Sequence, residues 1–543
     1  MKYKALLILL FSLSTSCLFG QFTKADTLRG SITPERAWWD LTHYHLDIEV
    51  SPSDSTLSGS NEITYLVLDS RTTLQIDLQD PLHIDRIEQD GKELNYESIG
   101  DAHFVSLKKE QEKGTLQKIK VFYSGRPHIA IRAPWDGGIS WKYDDNGMPF
   151  VASSCQGIGA SVWWPCKDHM YDEPDSMNIS VTTPDNLMDI SNGKLIGTEV
   201  RKKGTKTFHW SVKNPINNYG VNLSVGDYVH FGETYKGLNG DLSLDYYVLR
   251  DNIDQAKQQF KEVPLMMDAF EHWFGPYPFY KDGFKLIEVP YLGMEHQSAV
   301  TYGNGYQNGY LGRDLSQSGW GLKFDFIIIH EAGHEWFANN ITYKDIADMW
   351  IHESFTAYSE CLYLEFHHGK EAGAEYVIGT RRNINNDSPI IGKYGVNNRG
   401  SGDMYYKGSN MLHTLRQIVN DDEKWRALLT DLNKEFYHRT VTTKEVENFM
   451  SVELEINLEP FFNQYLRTTK IPILEYFVDN QMLFYRWSNV VEGFVFPVDV
   501  KIGEQSQRLK ASRFWKSMPV SSGAIDLKLD PNFYAATMQT LGN

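Results

Sequence analysis

The chain has 543 residues, of which 41% are hydrophobic and 23% charged, and its formal net charge is -17. Its length exceeds that of one ordinary domain, and its composition is typical of folded globular proteins and not of disordered ones. The negative charge repels phosphate backbones and no run of Lys or Arg offsets it, which argues against nucleic-acid binding.

The first residues have the layout of a cleavable signal peptide. Met-Lys-Tyr-Lys precedes an apolar run from Ala5 to Leu13, and small and polar residues follow. This run is about half as long as a membrane-spanning helix, so we expect it to direct export without forming a transmembrane anchor. We therefore expect residues 1–20 to be removed and the mature chain to be periplasmic or extracellular. Cys17 is a candidate for lipid attachment, which would associate the chain with a membrane, although Leu13 lies one position too far upstream for a good signal of that kind.

The remaining cysteines, Cys155, Cys166 and Cys361, are odd in number. Cys155 and Cys166 lie close in sequence and could form a disulfide that closes a local loop, or both could remain reduced. Cys361 lies in an apolar helical stretch, where we expect a buried small hydrophobic residue and not a reactive thiol.

The periodicity of apolar residues changes twice along the chain, which predicts a multidomain α+β protein. Short alternating segments such as Tyr44–Val50 and Thr73–Leu78 predict an N-terminal antiparallel β domain over residues 21–236. Residues 237–468 are mainly helical in pattern, with helices predicted over Ala256–Trp273, Gly321–Asn340, Trp350–His368 and Asn410–Val419. Short strands return at Met482–Trp487 and Phe496–Ile502, which predicts a small β-sandwich over residues 469–543.

The predicted helix Gly321–Asn340 carries the sequence His330-Glu331-Ala332-Gly333-His334. Two histidines at positions i and i+4 share one helix face with their Cβ atoms about 6 Å apart, so both rings can bind one metal ion. Glu331 projects about 100° further around the helix, where it can act on a water beside the metal. We predict that Glu331 is the general base.

Glu353, on the next predicted helix, completes a set of three ligands with His330 and His334. Eighteen residues separate it from His334. Two histidines and one carboxylate leave a fourth position open, which is typical of catalytic zinc sites. We therefore expect one zinc ion per chain. The alternative, a helix with two core histidines and surface acids, does not account for Glu353.

Further motifs make the chain similar to the gluzincin aminopeptidases, the family of aminopeptidase N and leukotriene hydrolase. The similarity runs from about residue 40 to residue 470, and its motifs are Trp273–Phe279, Leu292–His296, Tyr405–Gly408, Cys155-Gln156 and Trp164–Asp168. It implies a saddle-like N-terminal β domain and a thermolysin-like catalytic domain, followed by the small β-sandwich. It further implies an exported bacterial member without the large C-terminal helical domain of many relatives, and hence a more open route to the metal.

The resemblance also implies how a substrate's free amine is bound. Leu292–His296 occupies the place of the family's Gly-Ala-Met-Glu-Asn signature, so Gly293 and Met294 would lie along the substrate and Glu295 would bind the amine. Gln156 would supply a second bond to that amine through its carbonyl oxygen. His296 replaces the signature's Asn, and Gly293 replaces its Ala, so the preference for the first side chain can differ from that of relatives.

Two further roles follow from the resemblance. Tyr405 would donate its hydroxyl to the oxyanion of the tetrahedral intermediate, a role that passes to Tyr406 if the alignment is shifted by one residue. Glu360 would orient a zinc-binding histidine, with a solvated helix acid as the alternative.

We therefore expect a zinc-dependent aminopeptidase that acts on peptides with a free N-terminus. The alternatives are a zinc endopeptidase or an epoxide hydrolase on the same scaffold, and a catalytically silent peptide-binding protein. Glu295 and Gln156 argue against the endopeptidase, because it has no amine to bind. The intact zinc ligands and Glu331 argue against a silent protein, which has no chemical need for all four.

Overall fold

A computed structural model describes residues 22–201, 204–521 and 526–541. The expected signal peptide and Cys17 lie outside these residues. A β-rich N-terminal part, a mainly helical middle and a C-terminal pair of small sheets follow one another along the chain. This confirms the predicted multidomain α+β fold. No helix in the described ranges is both long enough and apolar enough to cross a membrane.

The N-terminal part consists of two short helices and two sheets. The helices are α1 Lys24–Gly30 and α2 Pro34–Ala37. The strands are β1 Trp39–Ser51, β2 Thr56–Val67, β3 Thr73–Asp77, β4 His83–Gln89, β5 Lys92–Ile99, β6 Ala102–Ser106, β7 Leu116–Gly125, β8 Gly138–Tyr143, β9 Pro149–Ser154, β10 Ser176–Pro184, β11 Met188–Ile190, β12 Lys194–Arg201, β13 Thr205–Val212 and β14 Ser224–Gly226. The described strands form a ten-stranded sheet in the order β12-β13-β10-β1-β2-β7-β4-β5-β6-β3 and a four-stranded sheet in the order β11-β14-β9-β8.

The large sheet is antiparallel apart from one central pair, because β1 and β10 run parallel. Strand β1 explains why one face of the sheet is buried. Tyr44, Leu46, Ile48 and Val50 alternate with more exposed residues and are each at most 2% exposed. A strand turns successive side chains to opposite faces, so this alternation buries one apolar face.

The middle part begins with strands and continues as helices. Its strands are β15 Tyr228–Gly237, β16 Gly240–Leu249, β17 Phe284–Glu288, β18 Gly293–Met294, β19 Val300–Tyr302, β20 Ile341–Tyr343 and, among the later helices, β21 Arg439–Val441. Strands β15 to β19 form one sheet in the order β15-β16-β17-β19-β18, so β18 lies at its edge. Strand β15 begins at Tyr228, before residue 237, where the sequence predicts the start of the helical part. It pairs with β16 along its whole length.

The helices of the middle part surround the candidate ligands. They are α3 Ile253–Gln259, α4 Glu262–Phe274, α5 Phe326–Gly333, α6 Trp350–His368, α7 Lys370–Gly379, α8 Tyr406–Val419, α9 Asp422–Glu435, α10 Thr443–Leu454 and α11 Glu459–Leu466. The prediction of Trp350–His368 is confirmed. The prediction of one helix over Ala256–Trp273 is wrong, because the chain forms α3 and α4 with a break between them.

Helix α5 is shorter than predicted. The side chain of Asp325 caps its first turn by accepting from the amides of Ile327 and Ile328. The chain leaves helical geometry at Phe337, whose φ is -124° and ψ is 71°. Phe337 stacks on Phe355 of α6 with 4.7 Å between ring centroids. The predicted extension of this helix to Asn340 is therefore wrong, because packing against α6 redirects the chain.

Gly333 allows α5 and α6 to approach closely. A Cβ atom on Gly333 would lie 2.7 Å from Oγ of Ser359 and 3.1 Å from Cγ2 of Thr356. Any larger residue would push the two helices apart. The predicted zinc ligands are His330 on α5, His334 directly after α5 and Glu353 on α6, so this contact contributes to the distance between them.

The C-terminal part consists of two small sheets. Its strands are β22 Ile473–Asp479, β23 Met482–Ser488, β24 Pro497–Ile502, β25 Gln505–Lys510, β26 Lys516–Pro519, β27 Leu527–Leu529 and β28 Ala536–Gln539. They pair in the orders β26-β23-β22-β28 and β25-β24-β27. Buried residues of both sheets, such as Leu483 and Val500, belong to the same hydrophobic core as α5 and α6.

Candidate metal centre

His330, His334 and Glu353 converge on one buried point. One ligand atom from each of the three lies within 4.8 Å of the other two. The Oε2 atom of Glu353 is 3.7 Å from Nε2 of His330 and 3.4 Å from Nε2 of His334. Glu353 Oε2 is buried and accepts no hydrogen bond within the described structure. We call these three residues the metal centre.

The Nδ1 atom of each imidazole makes a hydrogen bond that orients the ring. Nδ1 of His330 donates to Oε1 of Glu360 at 2.7 Å. Nδ1 of His334 donates to the carbonyl oxygen of Phe337 at 3.1 Å. The end of α5 before Phe337 brings that carbonyl back to His334. With Nδ1 protonated on both rings, each Nε2 carries a free lone pair directed at the metal centre.

The metal centre carries an excess of negative charge that a cation would balance. Burial lowers the pKa of His330, but the neighbouring carboxylates of Glu353 and Glu360 outweigh it and raise that pKa well above its usual value, so the surroundings favour a positive charge at this point. Two imidazole nitrogens and one carboxylate oxygen are ligand types that zinc binds. The unpaired Oε2 of Glu353 and the two lone pairs therefore fit a zinc ion.

Glu331 lines the same cavity as the metal centre but is absent from the ligand set. Burial raises the pKa of Glu331 to about 7, and the carboxylate of Glu295 acts in the same direction. Gly293 of β18 lies against it, since a Cβ atom on Gly293 would be 3.1 Å from Cγ of Glu331 and 2.7 Å from Cγ2 of Ile327. The absence of a side chain at Gly293 therefore lets the edge strand pack against the helix that carries Glu331.

Glu295 forms a second polar site beside the metal centre. Oε1 of Glu295 accepts from Nε2 of Gln156 at 2.6 Å and from the hydroxyl of Tyr219 at 3.2 Å. Glu295, Glu331 and His334 also have ligand atoms within 4.8 Å of one another. We call Glu295, Gln156 and Tyr219 the Glu295 pocket. Its buried carboxylate has neutral donors but no cationic partner in the described chain.

Two distant segments hold the turn that carries Gln156. Nη2 of Arg29 in α1 donates to the carbonyl oxygen of Gly157 at 3.3 Å. Nδ2 of Asn397 donates to the same oxygen at 3.3 Å. Arg29 also lies 3.7 Å from Oδ2 of Asp168. The Glu295 pocket is thus supported by the N-terminal helix and by a loop of the helical part.

A cavity of about 290 Å³ joins the metal centre to the Glu295 pocket. Gly293, Met294, Tyr405 and Tyr406 also line it. The ring of Tyr405 stacks against His330 with 6.0 Å between centroids. Among the described aromatic contacts, Tyr405 but not Tyr406 stacks on a ligand, and this placement is compatible with the predicted role.

Several residues that hold the ligands or their neighbours were not predicted from the sequence. Tyr219 binds Glu295, the Thr356 hydroxyl lies 3.0 Å from Nδ1 of His334, and the Tyr376 hydroxyl donates to Oε2 of Glu360 at 2.6 Å. Thr356 follows Glu353 by three positions on α6, so helix periodicity could have indicated it. Tyr219 and Tyr376 come from segments whose approach depends on tertiary packing.

None of the described cysteines lines this cavity. Cys155, Cys166 and Cys361 are all buried and free. The thiol of Cys155 donates to the carbonyl oxygen of Tyr219 at 3.3 Å. The disulfide considered for Cys155 and Cys166 is therefore not formed in this structure, and Cys361 is buried as expected.

Two domains of one peptidase family match the sequence. The peptidase M1 N-terminal domain matches residues 41–219, and the peptidase family M1 domain matches residues 259–465. Leukotriene A-4 hydrolase from Xenopus laevis is 24% identical over 77% of this chain and 68% of its own length. Aminopeptidase N from Lactobacillus helveticus is 23% identical over 80% of this chain and 52% of its own. Endoplasmic reticulum aminopeptidase 1 from Mus musculus is 23% identical over 53% of this chain, which spans only 32% of that relative.

Solved structures share the fold. An M1 zinc metallopeptidase from Deinococcus radiodurans superimposes with a TM-score of 0.69 at 20% sequence identity, covering 82% of this chain and 98% of that one. A variant of that protein has been solved with a Tyr-Ser-Ala substrate bound.

Proposed function

Because this chain belongs to the M1 peptidase family of peptide-bond hydrolases, we propose that it is a zinc-dependent aminopeptidase that removes residues from the free N-terminus of peptides. The observation that carries the proposal is the Glu295 pocket beside the metal centre. A buried carboxylate without a cationic partner is costly, and a substrate ammonium group would supply that partner. An endopeptidase would leave this carboxylate unpaired.

The substrate's backbone and amine can be held by two neighbouring elements. Strand β18 lies at the edge of its sheet, so one side of its backbone is open to an added strand. Glu295 follows β18 directly, and its carboxylate would bind the α-amine. Nε2 of Gln156 already donates to Glu295, which leaves the Gln156 carbonyl oxygen free to accept from the same amine. The first peptide bond would then lie over the metal centre.

A single zinc ion held by His330, His334 and Glu353 would polarise the scissile carbonyl and make a nearby water more acidic. Glu331 would accept a proton from the attacking water and deliver it to the leaving nitrogen. Its carboxylate lines the same cavity as the metal centre without belonging to the ligand set, so it is free to take up and release a proton there. Tyr405 would donate its hydroxyl to the oxyanion as the carbonyl carbon becomes tetrahedral.

Glu360 and Phe337 would keep both imidazoles in the tautomer that presents Nε2. A carboxylate behind a ligand histidine also raises the basicity of the ring and so strengthens its bond to a metal. Burial of the whole set excludes bulk water and strengthens each electrostatic contact. These residues would thus prepare the site before substrate arrives.

Hydrolysis of paired substrates tests the proposal. A panel of aminoacyl-anilides and their N-acetylated twins is offered to the purified chain, before and after chelation and after zinc is added back. We expect cleavage of the free-amine forms only, loss of cleavage with chelator and recovery with zinc. Equal cleavage of the acetylated twins would contradict an aminopeptidase and indicate an endopeptidase.

A further inference from the structure

Among the described residues, one cationic side chain that the proposed reaction does not use lines the cavity at the metal centre. Of the described residues that line the cavity, Arg399 is the only Lys or Arg, whereas Glu295, Glu331 and Glu353 contribute three carboxylates. Arg399 is exposed, so a ligand in the cavity can reach its guanidinium group. A cation at this position would attract negatively charged groups past the three carboxylates of the cavity wall.

Arg399 makes no ion pair with any residue that the structure describes. In the described ranges other arginines form ion pairs with carboxylates, but Arg399 forms none, although the chain carries a formal charge of -17. An unpaired arginine on an open surface is common and needs no explanation. Arg399 differs from such residues because it projects into the same cavity as the proposed catalytic groups.

The residues two positions before and after Arg399 are tied to other segments by their side chains. Two positions before it, Asn397 donates to the carbonyl oxygen of Gly157 at 3.3 Å. Two positions after it, the hydroxyl of Ser401 donates to Oδ1 of Asp387 at 2.9 Å. The guanidinium group therefore extends from a segment that is held on both sides, which reduces the entropy lost when it binds a ligand.

Arg399 lines the same cavity as Tyr405, which would face the scissile bond, and as the three residues of the metal centre. A substrate carboxylate that binds Arg399 would therefore lie near the bond to be cleaved.

We propose that Arg399 binds a carboxylate of the substrate and so makes the enzyme favour peptides that carry one close to the cleaved bond. The proposal rests on the aminopeptidase function proposed above. A planar guanidinium can form two parallel hydrogen bonds with a carboxylate, which a lysine cannot reproduce. A cavity of about 290 Å³ is at the small end of ligand sites, which suits a short peptide.

Two sources of that carboxylate are compatible with the position of Arg399. One is the free C-terminal carboxylate of a dipeptide, and the other is the acidic side chain of an N-terminal Glu or Asp. The chemistry is the same in both cases, and substrate pairs that differ only in one carboxylate distinguish them. Leu-Ala and Leu-Ala amide differ at the C-terminus, and Glu-anilide and Gln-anilide differ at the first side chain.

The test compares the ratio of kcat/KM for the acid to that for the neutral partner in each pair. In Arg399→Ala, one of the two ratios should fall about 10- to 100-fold, the loss expected for one hydrogen bond between charged groups. A fall for the dipeptide pair identifies the C-terminal carboxylate, and a fall for the anilide pair identifies the side chain. Arg399→Lys should restore only part of the ratio, because it keeps the charge without the paired geometry.

Lys393→Ala is the matched control. Lys393 is a cation of the same loop that does not line the cavity and instead lies over the ring of Phe22 at 5.1 Å. Both substrate ratios should be unchanged in this variant. A fall of equal size in Lys393→Ala would attribute the effect to the general charge of the loop and contradict a specific site at Arg399.

A binding measurement separates this proposal from the proposed function. Calorimetry of zinc-loaded Glu331→Gln with Leu-Ala and Leu-Ala amide, and with glutamic acid amide and glutamine amide, reports recognition without turnover. If neither substrate ratio nor either binding preference changes in Arg399→Ala while free-amine anilides are still cleaved, the role of Arg399 is overturned and the aminopeptidase stands. If the unsubstituted chain cleaves no substrate, the proposed function fails. The calorimetry then still decides whether Arg399 binds a carboxylate, because a preference for either acid over its neutral partner should be lost in Arg399→Ala.

Discussion

Glu360 Oε1 accepts a hydrogen bond from Nδ1 of His330 at 2.7 Å, and its other oxygen accepts from the Tyr376 hydroxyl at 2.6 Å. Glu360 is 1% exposed and comes from the helix that also carries Glu353. One helix thus provides both a metal ligand and the group that orients another ligand. The alternative of a solvated helix acid at Glu360 is wrong, because the side chain is buried against His330.

Replacing Glu360 with Gln should weaken zinc binding while leaving the fold intact. The amide oxygen can still accept from His330, but the charge that makes the ring a better ligand is lost, so affinity should fall about 10- to 100-fold. Competition with a chelator of known affinity measures the change. Tyr376→Phe is the matched control, since it removes only the second bond to Glu360 and should have a smaller effect. Equal zinc affinity in Glu360→Gln and the unsubstituted chain would contradict the role of Glu360.

Replacing Glu331 with Gln should abolish most turnover without loss of metal. A glutamine at this position cannot accept the proton from water, and loss of a general base costs about 10²- to 10⁴-fold in rate. The measurement is kcat on a free-amine anilide together with the zinc content of the same sample. If the metal were lost along with activity, Glu331 would have to be reassigned as a ligand.

Replacing Glu295 with Gln should raise KM for substrates with a free amine. The change removes the negative charge opposite the ammonium group but keeps the shape and the neighbours Gln156 and Tyr219. A charged hydrogen bond contributes about 1.5–3 kcal/mol, which corresponds to about 10- to 100-fold in KM. Kinetics on one free-amine anilide at a series of concentrations measure it. An unchanged KM would remove the basis for assigning this pocket to the amine.

Replacing Tyr405 with Phe should lower kcat about 10²-fold or more, because one hydrogen-bond donor to the oxyanion is lost. KM should change less, since the bond forms mainly in the transition state. Tyr406→Phe is the matched control, because Tyr406 lines the same cavity one residue later. If Tyr406→Phe alone lowers kcat, the donor is Tyr406 and the alignment is shifted by one residue.

The metal centre could be predicted from sequence because its geometry is local. Two histidines at i and i+4 share a helix face whatever the rest of the chain does. The end of α5 at Gly333 could not be predicted, because Trp336 and Phe337 continue the apolar pattern and only packing against Phe355 redirects them. Packing of this kind overrides local preference.

The surroundings of the ligands were harder to predict for the same reason. Arg399 lies in a loop without helical or strand periodicity, and nothing in its neighbours indicates a cavity. Tyr219 binds Glu295 from 76 residues away. Such contacts depend on how sheets and loops meet, and a single sequence carries no direct signal for them.

The carbonyl oxygen of Gly157 accepts hydrogen bonds from both Arg29 and Asn397, and these bonds bear on the order in which the site forms during folding. The metal ligands lie on two helices that are close in sequence, so that part can form as soon as α5 and α6 pack together. The Glu295 pocket needs Gln156 to meet Glu295 across 139 residues, and the supporting bonds to Gly157 span 128 and 240 residues. Contacts between distant residues close late in folding because their loops cost more entropy. A folding chain would therefore acquire the capacity to bind zinc before the capacity to recognise an N-terminus, and its selectivity would be completed last.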